Sequence, residues 1–271
     1  MQQITEKEFE KLSEYIKKNY GIFLKKEKMS LVMSRLSGIL SEKNMSSFSE
    51  YYQYVVSDRT GLAAAELVNK ITTNHTFFMR EPEHFTYFRD VVLPYLSQNV
   101  KDKDLRIWSA GCSSGEEPYT LAMIMNDYFG SEKFIWDTKI LATDISGQVL
   151  ESAKNGIYSM EKVAQLSEMW KRNYFHPYGQ ETYQISQKMR DEIIFRRLNL
   201  NDREFPFRRK FHVIFCRNVM IYFDSETKRQ VVEKFYDHME NGGFLFIGHS
   251  ESLNQDKMKY KYIMPALYRK E

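Results

Sequence analysis

Leu105–Met123 reads LRIWSAGCSSGEEPYTLAM, and the rest of the chain is organised around it. The alternating apolar run up to Ala110 predicts a buried strand. A tight turn with Gly111 and Gly115 follows. A helix then starts with Glu116, Glu117 and Pro118 in its first turn and an apolar face beyond. A strand, a glycine turn and a helix in succession form the first half of a nucleotide-binding βαβ unit, where glycine gives positive φ and lets backbone approach a ligand.

The residues around the glycines narrow the ligand. A phosphate site would offer bare N–H groups and often a Lys at this helix start. Here the helix opens on two carboxylates with no neighbouring Lys or Arg in the sequence. They suit the helix dipole by themselves. They would also repel a pyrophosphate and attract a cation. A nucleoside with a positively charged amino-acid end meets that requirement, and S-adenosylmethionine is such a molecule. The Gly-x-x-x-Gly turn is common and departs from the dinucleotide Gly-x-Gly-x-x-Gly.

Composition sets the bounds. The 271 residues allow one large or two modest domains, and 42% hydrophobic content with 18 Tyr and 19 Phe supports a packed core. A net charge of +3 gives no global case for nucleic acid binding. The two cysteines, Cys112 and Cys216, lie in motif-like runs and imply a reducing compartment without a disulfide framework. No signal-like or membrane-spanning run is present, so the chain is expected in the cytoplasm, without membrane insertion and as a monomer.

Residues 1–70 read as helices only. Thr5 and Glu8 form a capping box, a stripe of Phe9, Leu12, Tyr15 and Ile16 follows, and Gly21 stops the helix. A second helix is predicted over about Glu27–Leu40, a third from Ser47 and a fourth over about Gly61–Ile71. Between Tyr15 and Lys43 seven basic residues (Lys17, Lys18, Lys25, Lys26, Lys28, Arg35, Lys43) face two acidic ones. This is either an ordinary solvated face or a docking surface for an acidic partner. The stretch 71–98 combines a polar loop, TTNHTFFMRE, with a helix from Pro82. Asn74, Thr76 and Arg80 on its aromatic anchor suit a ligand lid, although Arg80 could equally pair with Glu81 or Glu83.

From residue 99 strands and helices alternate. KILATD (Lys139–Asp144) is a strand ending in Asp144, which either accepts bonds from ribose hydroxyls or caps the helix Ser146–Lys154. Residues 158–190 break the rhythm as an insertion, with a helix around Glu161–Asn173 and a β-rich piece at Tyr183–Ile185. Strands follow at Glu192–Leu200 and Phe211–Cys216. A helix capped by Asp224 or Ser225 is expected to run to about Met239 and stop at Gly242 and Gly243. A fifth strand, Phe244–Gly248, and one or two closing strands in Tyr260–Arg269 complete an α/β fold with a mainly parallel sheet. Gly111, Asp144, Asn199 and Asn218 then fall together at the carboxyl ends of the strands, where ligands bind. The six histidines are scattered in sequence without metal-ligand spacing, and no metal is expected.

The runs TTNHTFFMREPEHF, WSAGCSSGEEPYTLAM, ATDIS, FCRNVMIYF and GHSES, in this order, resemble the bacterial chemotaxis receptor methyltransferases, the CheR family. They span residues of about 70 to 252. The resemblance implies a small all-helical N-terminal domain (1–70), a linker and lid segment (71–98) and a class I Rossmann-like methyltransferase domain (99–271) with an inserted β-subdomain at about 158–190. It further implies methyl transfer from S-adenosylmethionine to receptor glutamate side chains. Matched by motif position, Asn74, Thr76, Arg80, Gly111, Glu117, Asp144, Asn199, Leu200, Arg217 and Asn218 would line the cofactor site. Arg80 and Tyr222 would lie next to the reacting centre, although Tyr222 also reads as a core aromatic at a strand end. Basic residues Lys17, Lys18, Lys25, Lys26, Lys28 and Arg35 would meet an acidic helical surface of the receptor. Some members grip a receptor tether peptide through a glycine-rich loop, but His176–Tyr183 here has Gly179 alone, which favours docking through the helices.

Two other function classes compete. One is a methyltransferase acting on nucleic acid or a small molecule; the nucleic-acid amino-methylating enzymes usually carry an Asn/Asp-Pro-Pro-Tyr/Phe run after the fourth strand, where this chain reads Arg217-Asn218-Val219-Met220. A non-enzymatic cofactor-binding scaffold would not need both Arg80 and Tyr222.

Overall fold

The computed structural model of the chain describes residues 3–72, 75–253 and 259–271. Four helices come first: α1 (Glu6–Tyr20), α2 (Met29–Glu42), α3 (Phe48–Ser57) and α4 (Leu62–Ile71). The Thr5–Glu8 capping box opens α1, and Gly21, at φ 71°, closes it in the left-handed region where a side chain would strain the backbone. Ser47 caps α3. A short 3-10 turn, Lys26–Lys28, precedes α2, which therefore starts two residues later than its periodicity predicts. The apolar stripes meet in one core of residues such as Leu12, Ile16, Leu36, Phe48, Tyr51 and Leu67.

A long helical rod follows, α5 (Pro82–Tyr87) and α6 (Leu93–Asn99) joined by a π-helical turn at Phe88–Val92. The α/β part then runs β1 (Ile107–Ala110), α7 (Glu116–Phe129), β2 (Ile140–Asp144) and α8 (Gly147–Asn155). The insertion holds β3 (Ile157–Ser159), α9 (Met160–Ala164), α10 (Glu168–Tyr174), β4 (Phe175–Pro177), β5 (Thr182–Ile185) and α11 (Gln187–Arg190). After it come β6 (Ile193–Arg197), β7 (Phe211–Cys216), α12 (Ser225–Asp237), β8 (Met239–Ile247), β9 (Tyr260–Met264) and β10 (Leu267–Lys270).

The main sheet has seven strands in the order β6-β2-β1-β7-β8-β10-β9. Its first five strands are parallel, and β10 and β9 close it antiparallel. The chain leaves β1 toward β2 and β6, then returns to β7 on the other side. The order thus reverses between β1 and β7, and in open α/β sheets such a reversal opens a crevice at the carboxyl ends of the strands. Each face carries its own core. Phe85, Phe88, Tyr119 and Phe215 belong to one, and Trp108, Phe205, Phe235 and Leu245 to the other. A separate three-stranded antiparallel sheet, β3-β5-β4, forms the insertion.

Three local expectations are corrected. Where one helix is expected over Glu161–Asn173, the insertion has two short ones, α9 and α10, each with its own serine cap (Ser159 and Ser167). Asp144 does not cap α8; the Ser146 hydroxyl does, accepting from the Val149 N–H. The helix before β8 ends at Asp237 rather than Met239, and Gly242 and Gly243 lie inside β8. They serve a kink: the β7–β8 register shifts between Phe211 and Val213, and a Cβ on Gly243 would stand 2.9 Å from the Glu240 carbonyl and 3.0 Å from that of His212.

Candidate active site

A cleft of about 960 Å³, open mouth included, lies over the carboxyl ends of β1, β2, β6 and β7. Thr76, Arg80, Gly111, Glu117, Asp144, Asn199, Leu200, Arg217, Asn218 and Tyr222 all line it. Asn74 lies outside the described residues.

The turn after β1 builds the floor by backbone geometry. The N–H groups of Gly111 and Cys112 both donate to the Thr143 carbonyl, at 2.7 and 2.9 Å. Gly111 has φ +82°, and a Cβ there would stand 2.3 Å from Val219 Cγ2. The side of the turn away from the cleft is held by the insertion, where the Tyr158 hydroxyl donates to the Ser114 carbonyl at 2.8 Å.

Asp144 stands at the end of β2. Its two oxygens accept from the Ser113 and Ser146 N–H groups, both at 2.9 Å. Burial pushes its carboxyl above the ordinary range, against the pull of those backbone donors. A carboxylate has about four lone-pair sites, so Asp144 keeps capacity for two hydroxyl donors from the cleft. The vicinal diol of a ribose supplies that pair. Apolar Ile145, Leu198, Leu200 and Val219 surround it with a wall suited to a heteroaromatic base.

The two carboxylates of the α7 start do have basic partners, which correct the expectation from the local sequence. Fully buried Glu116 pairs with Lys162 at 2.5 Å and accepts from the Ser114 hydroxyl at 2.7 Å. Glu117 accepts from the Ser109 hydroxyl at 2.7 Å and from Arg217 Nη1 at 3.0 Å. Arg217 is buried. Its Nη2 reaches Glu81 at 3.1 Å and donates to the Arg80 carbonyl, and its guanidinium lies 5.0 Å from the Phe85 ring centre. One guanidinium is therefore shared by two carboxylates, and the trio carries one negative charge beside the cleft. Burial pushes Glu81 up, but the charge and bonds of Arg217, with Asn218 and the His249 N–H, bring it below its usual value. This charge balance fits a ligand whose end bears both an ammonium and a carboxylate, as in S-adenosylmethionine.

Arg80 is half-buried and does not take Glu81, which Arg217 holds instead. Its Nη1 donates to the His75 carbonyl at 2.6 Å, and its guanidinium sits 5.9 Å from the Phe77 ring centre. Tyr222 is half-buried and packs on the core of the four N-terminal helices while lining the cleft. It thus combines a packing contact with a place on the cleft wall. The Asn199 amide donates to the Asn19 carbonyl at 2.7 Å and so ties the cleft wall to α1.

Several contributors carry no local signal. Tyr20 and Ile22, from the corner after α1, line the cleft. Glu251, in the GHSES run, is buried and accepts from the N–H groups of Gly248 (2.6 Å), Asn218 and Ile221 (both 3.0 Å). It pegs the turn after β7, where Asn218 adopts φ 58°. The surrounding run Ser250-Glu251-Ser252-Leu253 carries neither a periodic nor a capping signal for that role.

The histidines are not all scattered in space. His84 and His249 stand with ring centres 4.5 Å apart, and with Glu81 their donor atoms lie within 4.8 Å of one another. Glu81 is engaged by Arg217, whose guanidinium charge beside the group opposes a dication. Burial, followed by the Arg217 charge, lowers the His84 pKa to about 3, so its ring is neutral. Cys112 and Cys216 are buried free thiols, and burial pushes both well above their usual range, away from nucleophilic behaviour.

The comparisons with known proteins agree with this geometry. Residues 74–267 match the family model "CheR methyltransferase, SAM binding domain" and residues 7–72 match "CheR methyltransferase, all-alpha domain". A chemotaxis protein methyltransferase of Borreliella burgdorferi is 41% identical over 270 residues, covering 98% of this chain and 95% of the relative. The chemotaxis protein methyltransferase of Escherichia coli K12 is 32% identical, covering 95% of this chain and 88% of its own. A probable chemotaxis protein methyltransferase of Rhizobium etli is 37% identical over 263 residues, with 92% and 97% covered. The chain belongs to the CheR methyltransferase family, and its α/β part is a methyltransferase domain that binds S-adenosylmethionine.

Proposed function

We propose that the chain methylates glutamate side chains on the cytoplasmic region of chemotaxis receptors and forms glutamyl methyl esters. The observation that carries the reading is the presence of a cation and a phenol, Arg80 and Tyr222, on the wall of the methyl-donor cleft. S-adenosylmethionine, when bound, supplies an electrophilic sulfonium methyl group. Asp144 would hold its ribose, and Glu117 with Arg217 its amino-acid end.

A glutamate side chain has a pKa of about 4.3 and is ionised at neutral pH, so it needs no general base. The protein must strip water from the carboxylate and align it, and orientation alone is worth several kcal/mol. The His75 carbonyl fixes one N–H of Arg80, and a guanidinium retains further donors for a carboxylate oxygen. A single-oxygen grip leaves the second oxygen nucleophilic. The Tyr222 hydroxyl then sets the line of approach.

Docking falls to the basic N-terminal helices. Lys18, Lys25 and Lys28 are exposed, whereas Lys26 pairs with Glu6 at 2.9 Å. Arg35 turns inward and donates to the Lys70 and Ile71 carbonyls, so its contribution is to α4 packing. An acidic helical surface complements the exposed lysines. The test is incubation with methyl-labelled S-adenosylmethionine and a receptor cytoplasmic fragment. Label that enters the fragment and is released by mild base, as an ester would be, supports the reading. Base-stable label, or label that requires nucleic acid instead of receptor, contradicts it.

A further inference from the structure

The corner that follows α1 reaches across to the methyltransferase part and grips three consecutive residues there. The Phe23 N–H donates to the Tyr222 carbonyl at 2.7 Å. Ile22 forms an isolated antiparallel bridge with Phe223. Lys17 Nζ lies 2.7 Å from Asp224 Oδ2 and 5.3 Å from the Phe23 ring centre. Each of Tyr222, Phe223 and Asp224 therefore has its own partner on the helical side. The approach is close: a Cβ on Gly21 would lie 2.8 Å from Thr227 Cγ2 and 3.0 Å from Asn201 Oδ1. Asn199 and Asn201 add side-chain bonds to the carbonyls of Asn19 and Lys18.

The same corner faces the cleft through Tyr20 and Ile22. Asp224 is in addition the cap of α12, accepting from the Thr227 N–H at 2.8 Å. The Lys17 ammonium, helped by the Thr227 N–H, holds its carboxyl down at about 2. Lys17 thus ties the end of α1 to the start of α12, with Tyr222 two residues before the tie.

We infer that Lys17, through Asp224, is a positioning residue for Tyr222, so that the helical N-terminal part sets the geometry of the reacting centre as well as docking the receptor. This rests on the reading of Tyr222 as a group that touches the acceptor. It also reassigns Lys17 within the basic surface. A docking lysine changes how tightly the receptor binds, whereas a positioning lysine changes the rate once receptor is bound.

The test uses the full chain with S-adenosylmethionine at saturation and a receptor cytoplasmic fragment titrated up to saturation. Lys17→Gln is expected to lower kcat about tenfold with KM for the receptor changed by less than about twofold, since small misplacements remote from the chemistry can cost about 10²-fold. Lys17→Arg, which keeps the ion pair, is expected to stay within about twofold of the parent. Asp224→Asn keeps an oxygen for the α12 cap and should reproduce the Lys17→Gln loss. On a Tyr222→Phe background, Lys17→Gln should add less than about twofold, because groups that act as a unit are not additive.

A Lys17→Gln effect confined to KM makes Lys17 a docking residue and overturns the inference. A kcat loss that is fully additive with Tyr222→Phe also overturns it. If Tyr222→Phe is slow but Lys17→Gln is not, the inference alone fails. If Tyr222→Phe turns over at the parental rate, the reading of Tyr222 fails and the inference with it.

Discussion

Two adjacent strands, β1 and β7, end in turns that face the same cleft, and the turns are built on opposite principles. The turn after β1 is held by backbone: two glycines at positive φ and paired N–H bonds to the Thr143 carbonyl. The turn after β7 is held by buried charge. Arg217 is shared between Glu117 and Glu81, and Glu251 takes the N–H groups of Asn218 and Ile221. In the proposed reading the first sits where the nucleoside of the methyl donor is read, which needs close backbone approach. In the same reading the second carries Tyr222 toward the acceptor, which needs fixed charge in a partly dry site.

The contrast can be broken most severely at Arg217. Arg217→Met removes one partner from a buried network and leaves Glu117 and Glu81 facing each other. A loss of about 3–5 kcal/mol is expected in denaturant unfolding. A loss below about 1 kcal/mol would mean that the turn after β7 is not held by charge.

The matching disruption of the backbone turn is Gly111→Ala. Its left-handed φ costs roughly 1–2 kcal/mol, and the clash with Val219 adds about 1–3 kcal/mol of overpacking. Adding Val219→Ala should recover the clash but not the φ strain. Full recovery in the double variant, measured by the same unfolding, would show that the backbone was unstrained.

A smaller effect separates the turns by pH. His84 lies against Glu81, Arg217, His249 and Phe246, beneath the second turn. Its folded pKa of about 3 is below the ordinary 6.5, so the fold favours the neutral ring. The stability this gives is complete above pH 6.5 and is lost as pH falls toward 3. At pH 5 the loss should be about 2 kcal/mol relative to pH 7. His84→Leu should flatten that limb of the stability–pH curve, and an unchanged slope would remove His84 as its cause.

The same contrast explains what the amino-acid sequence discloses. Local signals sufficed for the first turn: strand, Gly111, Gly115 and helix start lie within a dozen or so residues. They sufficed as well for the Thr5–Glu8 capping box and for the Phe211–Cys216 strand. The second turn depends on pairs far apart in sequence, such as Arg217 with Glu117 or Asn218 with Glu251, and no periodicity reports them. Lys162, from the insertion, neutralises Glu116 by the same kind of remote contact. Gly242 and Gly243 misled because a glycine pair reads as a helix stop, whereas the need here is a close backbone crossing beside His212. The α1 corner at the cleft was hidden for a related reason. Tyr20 and Ile22 look like the end of one helical unit, and their place on the cleft follows from how that unit docks.

Asp144 gives the most direct test that this cleft is where the methyl donor binds. Calorimetric titration with S-adenosylhomocysteine compares the parent with Asp144→Asn, which keeps an acceptor oxygen for one of the two local backbone N–H groups. Hydrogen bonds to a charged group contribute about 1.5–3 kcal/mol, so affinity should fall at least about tenfold. Equal affinity in the two proteins would place the nucleoside elsewhere and contradict the account.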